Sequence, residues 1–177
     1  MKSRFSAADL ARTGLFAALI LICTHLSIPL PSGVPLTLQT FAVALGGFLL
    51  GPVYGTLAAA VYLLLGAAGL PVFSGFTGGI GRFVGPTGGF LLGFLLLAWG
   101  CGLGKKRPLP IRFLPGLAGL LLCHLLGALW YARVADLAFT ASAAAVSLPF
   151  LPKDIASLAL ALVFARLLEK RGILKKP

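Results

Sequence analysis

The sequence contains only four acidic residues, and one of them, Asp154, follows Pro152 and Lys153 at the start of an apolar stretch. Arg82 lies in a second notable segment, the glycine-rich stretch 78–89. Ionisable side chains beside long apolar segments are costly unless a partner or a ligand neutralises them. Arg82, Lys153 and Asp154 are therefore the first candidates for a binding site.

Arg82 allows two interpretations. Its guanidinium offers a planar fork of donors that suits a carboxylate, and the surrounding glycines let the backbone approach a ligand closely. Alternatively, Arg82 is a solvated loop residue that meets lipid headgroups. The stretch is not a dinucleotide-binding fingerprint, because the third glycine after Gly79-Ile80-Gly81 comes one place too late.

Asp154 also has a structural and a functional interpretation. An acid in the first turn complements the helix dipole, and proline favours the first helical position, so Asp154 is either a simple helix-end residue or a carboxylate that accepts hydrogen bonds from a polar ligand head. Lys153 beside it is interpreted as a headgroup anchor. Arg133 and Asp136 stand three residues apart, which predicts an ion pair at a helix end.

The sequence carries no signature of an enzyme. It has no Walker motif, no G-x-S-x-G turn and no paired carboxylates at one depth. His25 and His124 each lie near a cysteine, but without further ligands they are interpreted as packed, hydrogen-bonded histidines and not as a metal site. We therefore expect no cofactor in this chain, and an energised role would require ATP hydrolysis by partner proteins.

The elements that position these residues are predicted to be membrane helices. Hydrophobic residues make up 59% of the chain and charged residues 11%, against about 25% charged residues in soluble domains. No charged residue occurs between Arg12 and Arg82, whereas one crossing needs about 20 apolar residues. The net charge of +11 lies at the ends of apolar stretches, which favours contact with membrane lipid over binding to nucleic acid.

The apolar stretches predict one all-α membrane domain over residues 1–177, a bundle of six transmembrane helices. The predicted spans are 8–28, 36–50, 53–69, 86–103, 113–131 and 152–168. The run 37–69 would form a helix of about 50 Å, too long for one crossing, so we expect it to break at Gly51-Pro52. The segment 105–112 is predicted to be a basic loop.

The charge distribution predicts that the N- and C-termini are both cytoplasmic. In that orientation twelve Lys and Arg residues lie inside, and only Arg82, Arg133 and Lys153 lie outside, in accord with the positive-inside rule. The outer residues are then the ones left to bind a solute.

Small residues recur along the first predicted helix. They are Ala7, Ala11, Gly14 and Ala18. Such stripes let membrane helices pack closely. The stripe indicates either packing inside the protein or a docking face for another membrane protein.

Four segments together resemble one protein family. They are VPLTLQT at 34–40, GAAGLPVF at 66–73, GPTGGFL at 85–91 and PFLPKD at 149–154. In this order they closely resemble the BioY family, the biotin-binding S components of energy-coupling factor transporters, and the resemblance covers essentially the whole chain. It implies a six-helix bundle that captures biotin at its outer face. It also implies docking through the first helix onto a transmembrane T component and two ABC-type ATPases, which use the ATP.

The resemblance also implies roles for particular residues. Asp154 would accept hydrogen bonds from the ureido N–H groups of biotin, and Arg82 would meet its carboxylate. Gln39 and Ser74 lie in matching loops and are further candidates.

One departure from the family pattern concerns charge. Many relatives have a lysine three residues after the aspartate, where this chain has Ser157. It stays open whether Lys153 or Arg82 supplies the positive charge, or whether affinity is reduced.

The sequence therefore predicts a biotin-binding transport subunit, not an enzyme, in the plasma membrane of a prokaryote. One alternative keeps the fold and changes the ligand to another small anionic vitamin. A second alternative is a membrane-embedded enzyme that uses His124 as acid or base, although no second catalytic group lies at a similar depth.

Overall fold

The computed structural model describes residues 6–105 and 107–172. Over these residues the chain forms eight helices and one pair of two-residue strands. In chain order they are α1 (Ala7–His25), β1 (Ser27–Ile28), β2 (Leu36–Thr37), α2 (Gln39–Leu50), α3 (Pro52–Ala67), α4 (Gly81–Val84), α5 (Gly88–Leu103), α6 (Leu109–Val134), α7 (Phe139–Val146) and α8 (Leu151–Lys170).

The helical class predicted from the sequence is confirmed, and each predicted span overlaps one helix of 12 to 26 residues. The short helices α4 and α7 lie outside those spans and raise the helix count of the described chain to eight. By length and hydropathy, α1 and α6 suffice to cross a membrane, and α7 with α8, bent by 55° at their break, is a third candidate. Because α2, α3 and α5 are apolar but have only 12 to 16 residues, the six crossings stay a prediction.

The break between α2 and α3 lies where the sequence places it. α2 ends at Leu50, α3 begins at Pro52, and Gly51 between them has a φ of 87°. Glycine adopts this left-handed conformation without strain, and a proline at the first helical position lacks an N–H that would be unpaired there. The chain therefore reverses direction, and Gly55 of α3 lies against Gly47 of α2.

Helices α5 and α6 approach each other at backbone distance. A Cβ atom added at Gly93 of α5 would lie 2.8 Å from the Cα atom of Cys123 in α6. Lipid tails are as apolar as helix side chains, so membrane helices associate by close packing, for which small residues at the interface are needed. The contact fixes the position of α6, which carries His124 one residue further along.

An ion pair between the buried Arg112 and the half-buried Glu169 closes one end of the bundle. The Arg112 guanidinium donates to both carboxylate oxygens of Glu169 at 2.8 and 3.1 Å, and its Nη2 also donates to the Phe48 carbonyl at 3.0 Å. These bonds join the start of α6 to the ends of α2 and α8. Asp9 and Arg12 of α1 act electrostatically on Lys105 at the same end, as do Arg112 and Glu169. We call this the inner end, after the orientation predicted from the sequence.

The structure corrects two sequence predictions. Arg112 is not part of a basic loop. Helix α6 begins at Leu109, because Pro110 is tolerated in the first turn of a helix, and Arg112 within this helix is only 4% exposed. Arg133 and Asp136, both described, do not form the predicted ion pair. Helix α6 ends at Val134, and Asp136 has a φ of 50°, so the helical spacing is lost between them.

We expect Gly93→Ala to destabilise the protein. The added methyl group would overpack the α5–α6 contact, which typically costs about 1–3 kcal/mol, and thermal unfolding in detergent would measure the loss. Gly14→Ala is the matched control, because a Cβ atom there meets no atom within 4 Å and alanine is the better helix former by about 1 kcal/mol. Equal melting temperatures for the two variants would contradict the packing argument.

Candidate ligand-binding cavity

A cavity of about 70 Å³ opens at the end of the bundle opposite the Arg112–Glu169 pair, which we call the outer end. A single water needs about 10–15 Å³ of such space, so the cavity has room for several water molecules or for part of a ligand. All five ligand-binding candidates from the sequence line it: Gln39, Ser74, Arg82, Lys153 and Asp154. Helix α8 begins at this end and brings Lys153 and Asp154 to the cavity in its first turn.

The Asp154 carboxylate is buried and paired on two sides. Its side chain is 7% exposed; Lys153 Nζ contacts one carboxylate oxygen, and His124 Nε2 lies 3.3 Å from the other. Lys153 Nζ also donates to the Thr37 carbonyl at 2.8 Å. The interpretation of Asp154 as a simple helix-end residue is therefore insufficient, because its carboxylate joins α8 to α6 and its lysine partner joins α8 to β2.

His124 has one ring nitrogen engaged and one available. A carboxylate only accepts hydrogen bonds at neutral pH, so the Nε2 atom that faces Asp154 carries the proton. The other nitrogen, Nδ1, is buried and has no hydrogen-bond partner among the described residues. The ring lies edge-on to Phe90 at 5.8 Å between centroids. His124 is thus packed and hydrogen-bonded, as the sequence indicated, and it also lines the cavity.

A second polar group lines the cavity between α1, α2 and α3. Gln39 Nε2 donates to the Tyr62 hydroxyl at 3.0 Å, and Tyr62 Oη lies 3.2 Å from Thr24 Oγ1. Because the Thr24 hydroxyl donates to the Ile20 carbonyl at 2.7 Å, the Tyr62 hydroxyl is left to donate to Thr24. Tyr62 is 1% exposed and packs edge-on to Phe73. The chain of bonds fixes the orientation of the Gln39 amide.

Arg82 is held in the cavity wall by neutral groups. Its Nε donates to Thr77 Oγ1 at 2.8 Å and its Nη2 to the Ser74 carbonyl at 3.4 Å. Ser74 Oγ donates to Ser27 Oγ at 2.8 Å, and this bond connects the segment between α3 and α4 to β1. No carboxylate of the described chain lies within ion-pair distance of Arg82. The half-buried guanidinium is therefore oriented but not neutralised.

The cavity combines one unpaired positive charge with apolar walls. Asp154 balances Lys153, and Arg82 remains. The apolar part of the lining includes several aromatic rings: Phe73, Phe90, Phe94 and Phe150. Ligand sites are typically apolar clefts with a few placed polar groups. This arrangement suits a small molecule with an anionic group, an apolar body and a polar head.

Known proteins share this sequence and this fold. The BioY family model matches residues 1–173 of the chain. A probable biotin transporter BioY from Pyrococcus horikoshii is 39% identical over 163 residues, which cover 92% of this chain and 97% of that protein.

The biotin transporter BioY of Thermotoga maritima is 50% identical over 121 residues, which cover 67% of this chain and 71% of that protein. The crystal structure of an S-component for biotin from an ECF-type ABC transporter matches with a TM-score of 0.85 and 28% identity. The match covers 96% of this chain and 95% of that one.

The chain belongs to the BioY family. The resemblance read from the four sequence segments is thereby confirmed, and so is the S-component fold. The similar proteins are transporters, so this BioY-family chain is a membrane transport protein and not an enzyme. The alternative of an enzyme that uses His124 is not supported.

Sequence reasoning found the charged residues of the cavity and missed most of its neutral polar ones. Thr24, Tyr62 and His124 all line it, but no sequence pattern assigned them a binding role. The sequence feature that could have identified them is a hydroxyl or an imidazole near the outer end of a charge-free helix. An unsatisfied polar group is costly there, so each one needs a partner or a ligand. That feature does not say which polar groups share one cavity, because the answer depends on how the helices pack.

We expect Lys153→Met to loosen the outer end of this BioY-family chain. The substitution removes the donor to the Thr37 carbonyl and the counter-charge of Asp154. Hydrogen bonds to charged groups contribute about 1.5–3 kcal/mol, so amide hydrogen exchange in segment 34–40 should accelerate about tenfold or more. Lys170→Met at the inner end is the control, and equal exchange of that segment in both variants would argue against the link between α8 and β2.

Proposed function

We propose that this chain is the substrate-binding subunit of a biotin uptake system. It crosses the cell membrane of a prokaryote six times with both termini in the cytoplasm, and it captures biotin at its outer face. A transmembrane T component and two ABC-type ATPases supply the energy, so the chain itself needs no cofactor. The observation that carries the proposal is the cavity that holds Asp154 and an unpaired Arg82 in a BioY-family fold.

The chemistry of biotin matches the cavity group by group. Asp154 accepts hydrogen bonds from the ureido N–H groups, because a carboxylate is the strongest neutral-pH acceptor that a protein offers to such donors. The aromatic walls contact the apolar ring system. Gln39 and Ser74 supply further polar contacts at the margin. Arg82 is the one unpaired cation among the described residues of the cavity, and its positive charge complements the single carboxylate of biotin.

Arg82, and not Lys153, is the partner of the biotin carboxylate in this proposal. Lys153 is already engaged by Asp154 and by the Thr37 carbonyl, whereas the Arg82 guanidinium has only neutral acceptors. Ser157, which stands where many relatives have a lysine, is buried one turn beyond Asp154. Lys153 therefore takes over the pairing of Asp154 and leaves Arg82 for the ligand.

We expect biotin alone, in a panel of B vitamins, to raise the melting temperature of the detergent-purified protein.

We expect the variants Asp154→Asn and Arg82→Gln to weaken biotin binding in different ways. Loss of one charge-assisted hydrogen bond costs about 1.5–3 kcal/mol, or roughly tenfold or more in Kd. Asp154→Asn should weaken biotin and biotin methyl ester alike, by isothermal titration. Arg82→Gln should weaken biotin but leave the uncharged ester almost unaffected.

Matched controls are available on the same side of the protein. Asp136→Asn and Arg133→Gln remove the same charges from exposed positions outside the cavity, and both should bind biotin normally. A different vitamin that raises the melting temperature would replace the ligand and keep the site. Full biotin affinity in both Asp154→Asn and Arg82→Gln would refute the site itself.

The small-residue stripe of α1 supports docking to a partner in the membrane. Ala7, Ala11, Gly14 and Ala18 are all exposed, while the opposite face of α1 packs inside the protein through Phe16 and Ile20 among others. Internal packing therefore does not account for the stripe. A surface without bulky side chains admits another helix at short distance, and we assign it to the T component.

We expect Ala11→Phe to abolish energised transport and to leave biotin binding intact. A bulky ring would hold the partner helix away from α1, whereas the cavity lies at the other end of that helix. Transport of labelled biotin by the chain reconstituted with its energising partners measures the effect. Leu160→Phe, on an exposed face of α8, is the control for bulk at a lipid-facing position. Normal transport by the Ala11→Phe variant would remove the stripe from the interface.

A further inference from the structure

A second cavity lies at the inner end, between the start of α6 and the end of α8. It is a wide groove open to the surface, with a volume of about 670 Å³, and its lining includes Arg107, Arg112, Arg166, Glu169 and Lys170, together with segment 108–110. We call it the inner basin. None of its charged residues belongs to the biotin cavity at the other end of the bundle, so it requires a separate explanation.

The inner basin carries an excess of positive charge. Arg112 and Glu169 neutralise each other through their two-fold hydrogen bond. Arg107, Arg166 and Lys170 are exposed, and no acid of the described chain lies within ion-pair distance of them. Three cations that face one cavity repel each other unless an anion lies between them, so the basin is suited to a group with more than one negative oxygen.

The start of α6 adds to the attraction for an anion. Helix α6 begins after Pro108 without a side-chain cap. Pro110 has no N–H, and the Arg112 N–H donates to the Pro108 carbonyl at 3.0 Å. Leu109 and Ile111 therefore carry the first N–H groups without an intrahelical acceptor. The helix dipole also places partial positive charge there. The first turn of α6 lines the basin, so this partial charge has the same sign as the three cations and acts at the same place.

An apolar surface continues from the basin toward the middle of the bundle. Val163 and Leu167 share one face of α8 with Arg166 and Lys170, by their spacing of three and four residues. Both are 51% exposed. On α6, Leu114 lies one turn beyond the basin and is 64% exposed. The cations at the inner end match the phosphate headgroup of a phospholipid, and the apolar side chains closer to the middle of the bundle match its acyl chains.

We propose that the inner basin binds the headgroup phosphate of an anionic phospholipid, whose acyl chains lie along Val163, Leu167 and Leu114. Arg166 and Lys170 hold the phosphate oxygens from α8, and Arg107 holds them from the segment before α6. The apolar surface favours a lipid over a free anion, because inorganic phosphate would gain nothing from it. Basic pockets between membrane helices on the cytoplasmic side are known to take such headgroups. The proposal does not depend on which vitamin the outer cavity binds.

Lipid binding to the purified protein tests this site by native mass spectrometry, with phosphatidylglycerol and phosphatidylcholine as probes. We expect phosphatidylglycerol to bind at least tenfold more tightly, and Arg166→Gln to weaken it about tenfold, or about 1.4 kcal/mol. Arg171→Gln is the control, because it removes the same charge from the next exposed turn, outside the basin, and it should keep at least half of the affinity.

Three results would overturn the proposal. Equal affinity for the two lipids would show that charge does not select the ligand. An equal loss in Arg166→Gln and Arg171→Gln would show general attraction to the positive inner end without a site. Displacement of the lipid by millimolar inorganic phosphate would identify a soluble anion as the ligand. Since Arg166 is exposed, unfolding of the variant is not expected, and its melting temperature without lipid checks this.

Discussion

A carboxylate buried in an apolar helix bundle is the constraint on which the outer end of this protein depends. Removing an ion from water costs several kcal/mol even after the surroundings relax. Asp154 therefore stays charged in the bundle only where Lys153 and His124 both reach it. Because Lys153 is also bonded to Thr37, the same requirement fixes α6, α8 and β2 relative to one another. These three elements form one side of the ligand cavity, and α1, α2, α3 and α5 contribute other walls, so the pairing of one charge fixes part of its shape.

The sequence was sufficient for the features that depend on local composition. Long charge-free stretches gave the helices, and Gly51-Pro52 gave the reversal between α2 and α3, because a left-handed glycine followed by proline ends one helix and starts the next whatever the surroundings are. The cavity-lining Asp154, Lys153 and Arg82 were found for the same reason: a charge next to a long apolar segment is rare enough to require an explanation. Family resemblance then supplied Gln39 and Ser74.

The features that the sequence did not give depend on packing between distant segments. Arg112 looked like one more cation of a basic loop, and only the approach of α8 provides Glu169 to pair with it. Its burial is a tertiary effect that overrides the local charge pattern. Tyr62 and His124 likewise acquire their roles from neighbours 23 and 30 residues away. Periodicity cannot specify such pairs, because it identifies the buried face of a helix but not the helix that covers it.

Two contacts between α6 and α8 together determine which parts of the molecule can move when a ligand binds: the His124–Asp154 hydrogen bond and the Arg112–Glu169 ion pair. Helix α8 is held at its start through Asp154 and near its end through Glu169, and both partners, His124 and Arg112, belong to α6. Sliding α8 along α6 would break both contacts at once. Asp154 would keep Lys153 of its own helix, but the buried Arg112 would lose its counter-charge, which is unfavourable. The segment that carries Arg82 is held by neutral contacts instead: Thr77 and the Ser74 carbonyl accept from the guanidinium, and the Gly79 N–H donates to the Gly66 carbonyl at 2.7 Å. A ligand whose head rests against Asp154 can therefore reach the oriented Arg82 guanidinium across the cavity without any displacement of α8 along α6.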